Sequence, residues 1–141
     1  MLWLVLAVLS AFFAALVPIL AKIGLAEVDS SVATATRAIV MMFFIVVFVL
    51  SIGKGGQLGQ LTSKNMGFII LSGIAGALSW LCYFAALKLA DVSQVAPIDR
   101  ASLLIAIVLA ALLLGEKITL VKGLAGVLIF AGILLLAIFP K

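Results

Sequence analysis

Apolar residues run through this chain in long blocks, and charged residues fall between the blocks as punctuation. Residues 1–21 contain no charge, and about 20 apolar residues suffice to cross the hydrocarbon core of a bilayer as a helix. Dividing the chain at its charges, glycines and caps predicts five spanning helices, at residues 2–24, 30–52, 65–87, 93–115 and 121–139, in one unit that covers 1–141. Ser30 or Ser31 is placed to cap the second helix. The four glycines within 53–63 mark the first real loop, residues 88–91 make a short connection, and Gly115 with Glu116 and Lys117 stops the fourth helix. Pro140 and Lys141 close the fifth. The first helix has no basic n-region and no small-x-small cleavage site, so it reads as a permanent span and not as a secretory signal.

Composition agrees with this pattern. Hydrophobic residues make up 67% of the chain and charged residues 10%, against roughly half and a quarter in soluble domains. A water-soluble fold could not bury that much apolar surface, whereas a membrane protein presents it to lipid. The fold class is therefore an all-α membrane protein. Cys82 is the single cysteine and histidine is absent, so a disulfide within the chain is excluded and a transition-metal site is not expected. No nucleophile and base form a recognisable set, so the chain does not read as an enzyme, and no cofactor is expected.

Short connections make sequential helices antiparallel neighbours, and an odd number of spans puts the termini on opposite faces. Lys54, Lys64, Lys117 and Lys122 then fall on the N-terminal face, and Lys22, Arg37, Lys88, Arg100 and Lys141 on the other. Orientation normally follows an excess of Lys and Arg on the cytoplasmic side. Here the two faces balance, with or without the two arginines.

Charges at membrane depth cost roughly 2.5–3.5 kcal/mol on insertion scales and usually face a bundle interior or an aqueous cavity. Arg37 and Arg100 each fall about seven residues into a predicted helix, about 10 Å deep at the helical rise. Asp99 is adjacent to Arg100 in sequence, and neighbours along a helix do not face each other. Asp99 is therefore expected to pair with Arg37 across helices. Long side chains at this depth can alternatively snorkel to lipid phosphates. Pro97 is expected in the first turn of the fourth helix, where proline is tolerated. Trp80, about 12 Å deep, and Tyr83 lie near the arginines; an interfacial aromatic belt accounts for Tyr83, and packing is the plain alternative for Trp80. Gly73, Gly76, Gly123, Gly126 and Gly132 would permit close helix contacts.

The run Ala96-Pro97-Ile98-Asp99-Arg100-Ala101-Ser102, then Leu112-Leu113-Leu114-Gly115-Glu116-Lys117, then a glycine-containing last helix, resembles the EamA domain of the drug/metabolite transporter superfamily. Pro18, Lys22 and Arg37 also fit, so the resemblance covers essentially the whole chain. It implies half of a ten-helix inverted-repeat transporter, of the small bacterial and archaeal branch, which completes itself as an antiparallel homodimer or with a paralogous half-transporter. Phe12 and Phe13 stand where tryptophan is common in the family. Related small multidrug exporters carry a glutamate in the first helix, and residues 1–21 have none.

Together these readings imply a secondary transporter or exporter of a small anionic or zwitterionic metabolite in the cell (inner) membrane. Arg37, Trp80, Tyr83, Pro97, Asp99 and Arg100 are the expected pathway residues, and an excess of positive charge favours carboxylate or phosphate. A lipid-carrier flippase and a non-transporting subunit of a larger complex are the alternatives. Membrane lipids and the small-molecule substrate are the remaining partners, and no nucleic acid is expected. The balanced Lys and Arg count predicts insertion in both orientations: reporters fused to the C-terminus should be detected on both sides of the membrane, and detection on one side alone excludes an inverted homodimer.

Overall fold

A computed structural model of the chain describes residues 1–139, and the predicted closure at Pro140 and Lys141 lies outside the described residues. The helices are α1 (Leu2–Gly24), α2 (Ser30–Ser51), α3 (Ser63–Leu89), α4 (Val92–Asp99), α5 (Ser102–Leu114) and α6 (Leu120–Ile138), with a 3-10 segment at Gly55–Gln60 between α2 and α3. Five segments are long and apolar enough to cross a membrane, because α4 and α5 together make one span, Val92–Leu114. The helices form two compact units. Ile19–Lys88 makes one; Met1–Pro18 with residues 89–139 makes the other.

In the unit Ile19–Lys88 the core gathers at one end. Leu25, Phe84 and Leu87 are 2%, 3% and 0% exposed, and Tyr83 and Thr34 are also buried. These side chains bring the end of α1, the first turn of α2 and the last turns of α3 together. Two lysines fasten the same end. Lys22 donates from Nζ to the carbonyl of Leu87 at 2.6 Å, and Lys88 donates to the carbonyl of Val28 at 2.5 Å. The Leu87 carbonyl belongs to the last turn of α3, where helical acceptors lack an intrahelical donor, and a cation there also meets the negative end of the helix dipole. Within α2, Thr34 and Thr36 return their hydroxyls to the carbonyls of Ser30 and Val32 at 2.7 and 2.9 Å. A hydroxyl in hydrocarbon has no water to bond, so it turns back on its own helix.

Helix ends follow local chemistry, with one substitution for the expected cap. Asp29, and not Ser30 or Ser31, caps α2: its carboxylate accepts from the N–H groups of Ser31 at 2.8 Å and Val32 at 3.3 Å. Ser30 is already helical, so its side chain is one residue too late to serve the first turn. Thr62 does the same for α3 by accepting from Asn65 N–H at 3.3 Å, which starts that helix earlier than predicted. Gly53 and Gly115, just past the ends of α2 and α5, have φ of +72° and +69°. That left-handed conformation suits glycine and lets the turn return its N–H groups to the last helical carbonyls.

In the other unit, α6 packs against α4 and α5. Gly126 is the glycine that this contact uses: a Cβ built there would stand 3.3 Å from Leu104 Cδ2. Gly123 and Gly132 meet no side chain within 4 Å, so the small residues of the last helix are not equivalent. Thr119 caps α6 by accepting from Lys122 N–H, and Lys122 pairs with Glu116 at 3.3 Å. Both partners of that pair are about half exposed, and such pairs contribute little.

The cap at Asp29 gives a pH-dependent observable outside the membrane. Hydrogen bonds from Ser31 and Val32 hold its carboxyl below the ordinary value of 3.8. The folded form therefore binds a proton less readily than the unfolded one, so the cap's contribution is complete above the ordinary value and is lost as pH falls through the lowered one. Amide-exchange protection at Ser31 and Val32 should decline in that acid range, and Asp29→Asn, which keeps an acceptor but cannot titrate, should remove the decline.

Candidate functional site

The fourth span breaks where its charges lie. Pro97 is the sixth residue of α4, in the second turn and not the first, so it withholds an N–H from the interior of a helix. Three residues on, the ladder tightens. Arg100 N–H goes to the Pro97 carbonyl at 3.1 Å and Ala101 N–H to that of Ile98 at 2.9 Å, and Leu103 and Leu104 likewise reach back three residues, to Arg100 and Ala101. The four-residue spacing resumes at Ile105, whose N–H reaches Ala101. The predicted continuous helix over 93–115 is thus two helices joined by a short 3-10 step at Arg100 and Ala101. Asp99 is half-buried and Arg100 exposed at that step. Shorter-range bonding of this kind repairs a proline-interrupted helix at membrane depth, and it occurs where backbone lines a cavity or is covered by protein.

Within the unit Ile19–Lys88, α3 places Trp80, Tyr83, Phe84 and Leu87 three and four residues apart, on one face. Trp80 meets Tyr83 and Phe84 edge-on, with ring centroids 5.6 and 5.7 Å apart. The Arg37 guanidinium lies over the Trp80 ring, 3.6 Å from its centroid, and 5.8 Å from that of Phe84. Tyr83 is buried, so it is a member of this cluster and not a belt residue displayed to the interface. Beside the cluster, α2 and α3 line an open groove of roughly 550 Å³.

The structure therefore gathers three of the residues expected from sequence, Arg37, Trp80 and Tyr83, in one unit. The other three, Pro97, Asp99 and Arg100, gather at the helix break of the second unit. Sequence reasoning missed Phe84, although its spacing of four from Trp80 is the signal for it. It also missed the carbonyl bonds of Lys22 and Lys88, for which composition carries no signal.

The chain matches the EamA-like transporter family over residues 1–138. A protein of Sinorhizobium sp. described as an uncharacterized transporter in the cobO 3′ region is 41% identical over 137 residues, which cover 97% of each chain. No solved structure matches.

A cation on an aromatic face contributes about 0.5–1 kcal/mol when exposed and about 2 kcal/mol when desolvated. For the half-buried Arg37, a double-mutant cycle of Arg37→Gln and Trp80→Leu should show a stability coupling of about 1 kcal/mol. Additive losses in thermal denaturation would mean that the stack contributes nothing.

Proposed function

The chain belongs to the EamA-like transporter family, and from that premise we propose that it carries a small anionic or zwitterionic metabolite across the cell (inner) membrane as an antiparallel dimer. Membership of this family, with a relative named as a transporter, points to transport and away from enzyme chemistry. Five spans fit the half of a ten-helix transporter that the family resemblance implies, and inverted repeats frame a site near the bilayer midplane. Two copies of opposite orientation would complete it, and a paralogous half would serve equally.

The observation that carries this reading is the interrupted fourth span. Discontinuous helices are where secondary transporters hold charged groups of their substrates, and here the interruption falls at Arg100, with Asp99 before it and Pro97 as its cause. Arg100 is permanently charged and exposed. It is proposed to meet the carboxylate or phosphate of the substrate, with Arg37, Trp80 and Tyr83 as pathway residues of the other unit.

A snorkelling arginine is replaceable by lysine, since either stem reaches lipid phosphates. A substrate-binding arginine is not, because its planar fork binds carboxylate or phosphate bidentately and lysine offers a point charge. Arg100→Lys should therefore leave expression and dimerisation intact and weaken substrate affinity at least tenfold, about 1.4 kcal/mol. Uptake of a metabolite panel into proteoliposomes measures this. Wild-type uptake in the variant returns Arg100 to the lipid interface, and no uptake of any metabolite by the wild type moves the chain to the passive subunit.

A further inference from the structure

The cavity between α2 and α3 changes character along its length. Its α2 wall runs from Ser31 to Ile45, about 21 Å at the helical rise. Ser31, Thr34 and Arg37 lie toward one end, and Met41, Ile45, Gly73 and Gly76 toward the other. A Cβ built at either of those glycines would meet nothing within 4 Å, so this part of the floor is bare helix backbone. The volume, roughly 550 Å³, falls within the range of sites that hold organic ligands.

The charge in this cavity has half of its chemistry in use. Trp80 covers the face of the Arg37 guanidinium, while its N–H groups point outward in the guanidinium plane and suit the two oxygens of a phosphate or carboxylate. Among the described residues Arg37 makes no hydrogen bond or ion pair, and no acidic residue lines the cavity. Leaving those donors empty in hydrocarbon is costly. The missing partner is thus an anion joined to something apolar and long enough to follow the groove. A helix of a second copy fits this less well, since Asp99 is the one acidic residue within the five spans.

We propose that the α2–α3 groove is a site for one anionic phospholipid, with its phosphate on the edge of the Arg37 guanidinium and an acyl chain laid over Gly73 and Gly76. This revises the pathway role proposed above for Arg37 and Trp80, which on this reading hold a resident lipid, and it leaves Arg100 to the transported substrate.

The test uses Trp80 as its own reporter. Trp3 and Trp80 are the two tryptophans, so Trp3→Phe leaves Trp80 as the sole tryptophan emitter. The protein is placed in bilayers of phosphatidylcholine that contain increasing fractions of phosphatidylglycerol with brominated acyl chains, or of phosphatidylcholine brominated in the same way. Bromine quenches tryptophan on contact. The expected result is saturable quenching by phosphatidylglycerol at a mole fraction about tenfold lower than for phosphatidylcholine, about 1.4 kcal/mol. Arg37→Gln should abolish the preference. Gly76→Leu, which fills the floor and leaves the charge, should abolish it too, with circular dichroism confirming that both variants remain helical.

Equal quenching by the two lipids would overturn the proposal, because Trp80 would then simply face bulk lipid. Absence of quenching by both would overturn it in favour of a groove covered by protein. A preference seen only in Asp99→Asn would overturn it by giving Arg37 to Asp99. Relief of quenching by inorganic phosphate would replace the lipid with a compact anion. Uptake by Arg100→Lys is measured on its own in the otherwise unaltered chain, so the transport reading is judged separately.

Discussion

A polar group inside hydrocarbon must find its partner within the protein or bring one with it, and this requirement organises the whole chain. Burial of apolar area, which dominates in water, is weak here because lipid is as apolar as leucine. The exposed leucines, isoleucines and phenylalanines of every span are accordingly unremarkable in their setting. What distinguishes one place from another is how each hydroxyl, carbonyl and cation is satisfied. Threonines turn back on their own helix, the carbonyl of Leu87 receives a lysine, and Arg37 takes the face of Trp80.

The two arginines show how the same residue type is settled in different ways by its surroundings. Arg37 sits on a regular helix, where an aromatic face three to four residues wide is available on α3. Its guanidinium lies over the indole of Trp80. Arg100 stands where the backbone itself has changed spacing, and it is exposed at that point. The first arrangement suits the resident lipid proposed above, and the second suits the proposed transported substrate.

The spans were legible in the sequence because their signals are long and redundant. A stretch such as 2–24 needs nothing beyond its own hydrophobicity, and its predicted bounds agree with α1. Gly115 was legible as a stop because a left-handed turn after a helix is a local requirement. The break at Arg100 was not, since Pro97 was placed in the first turn by a helix start only one residue too late, and a proline is harmless there but disruptive one turn on. The cap of α2 failed for the same reason in miniature: Asp29, Ser30 and Ser31 are all competent, and only geometry chooses among them. Arg37, Trp80 and Tyr83 were placed at similar depth from residue counting, yet the stacking of cation on indole depends on which faces of α2 and α3 meet. Counting along a helix gives depth and leaves rotation open.

The fastening of α2 and α3 at one end has a mechanical consequence. Leu25, Phe84, Leu87 and the two lysine bonds tie the last turn of α3 to the end of α1 and to the connection that leads into α2. Their far ends are joined by a glycine-bearing segment, and between pin and segment the floor is formed by Gly73 and Gly76, which touch no side chain. Such a pair has the geometry of tongs: any tilt at the pinned end would become a displacement that grows with distance along the arms. On that geometry a given change of helix angle at the grip would alter the gap near Ile45 more than the gap near Thr34.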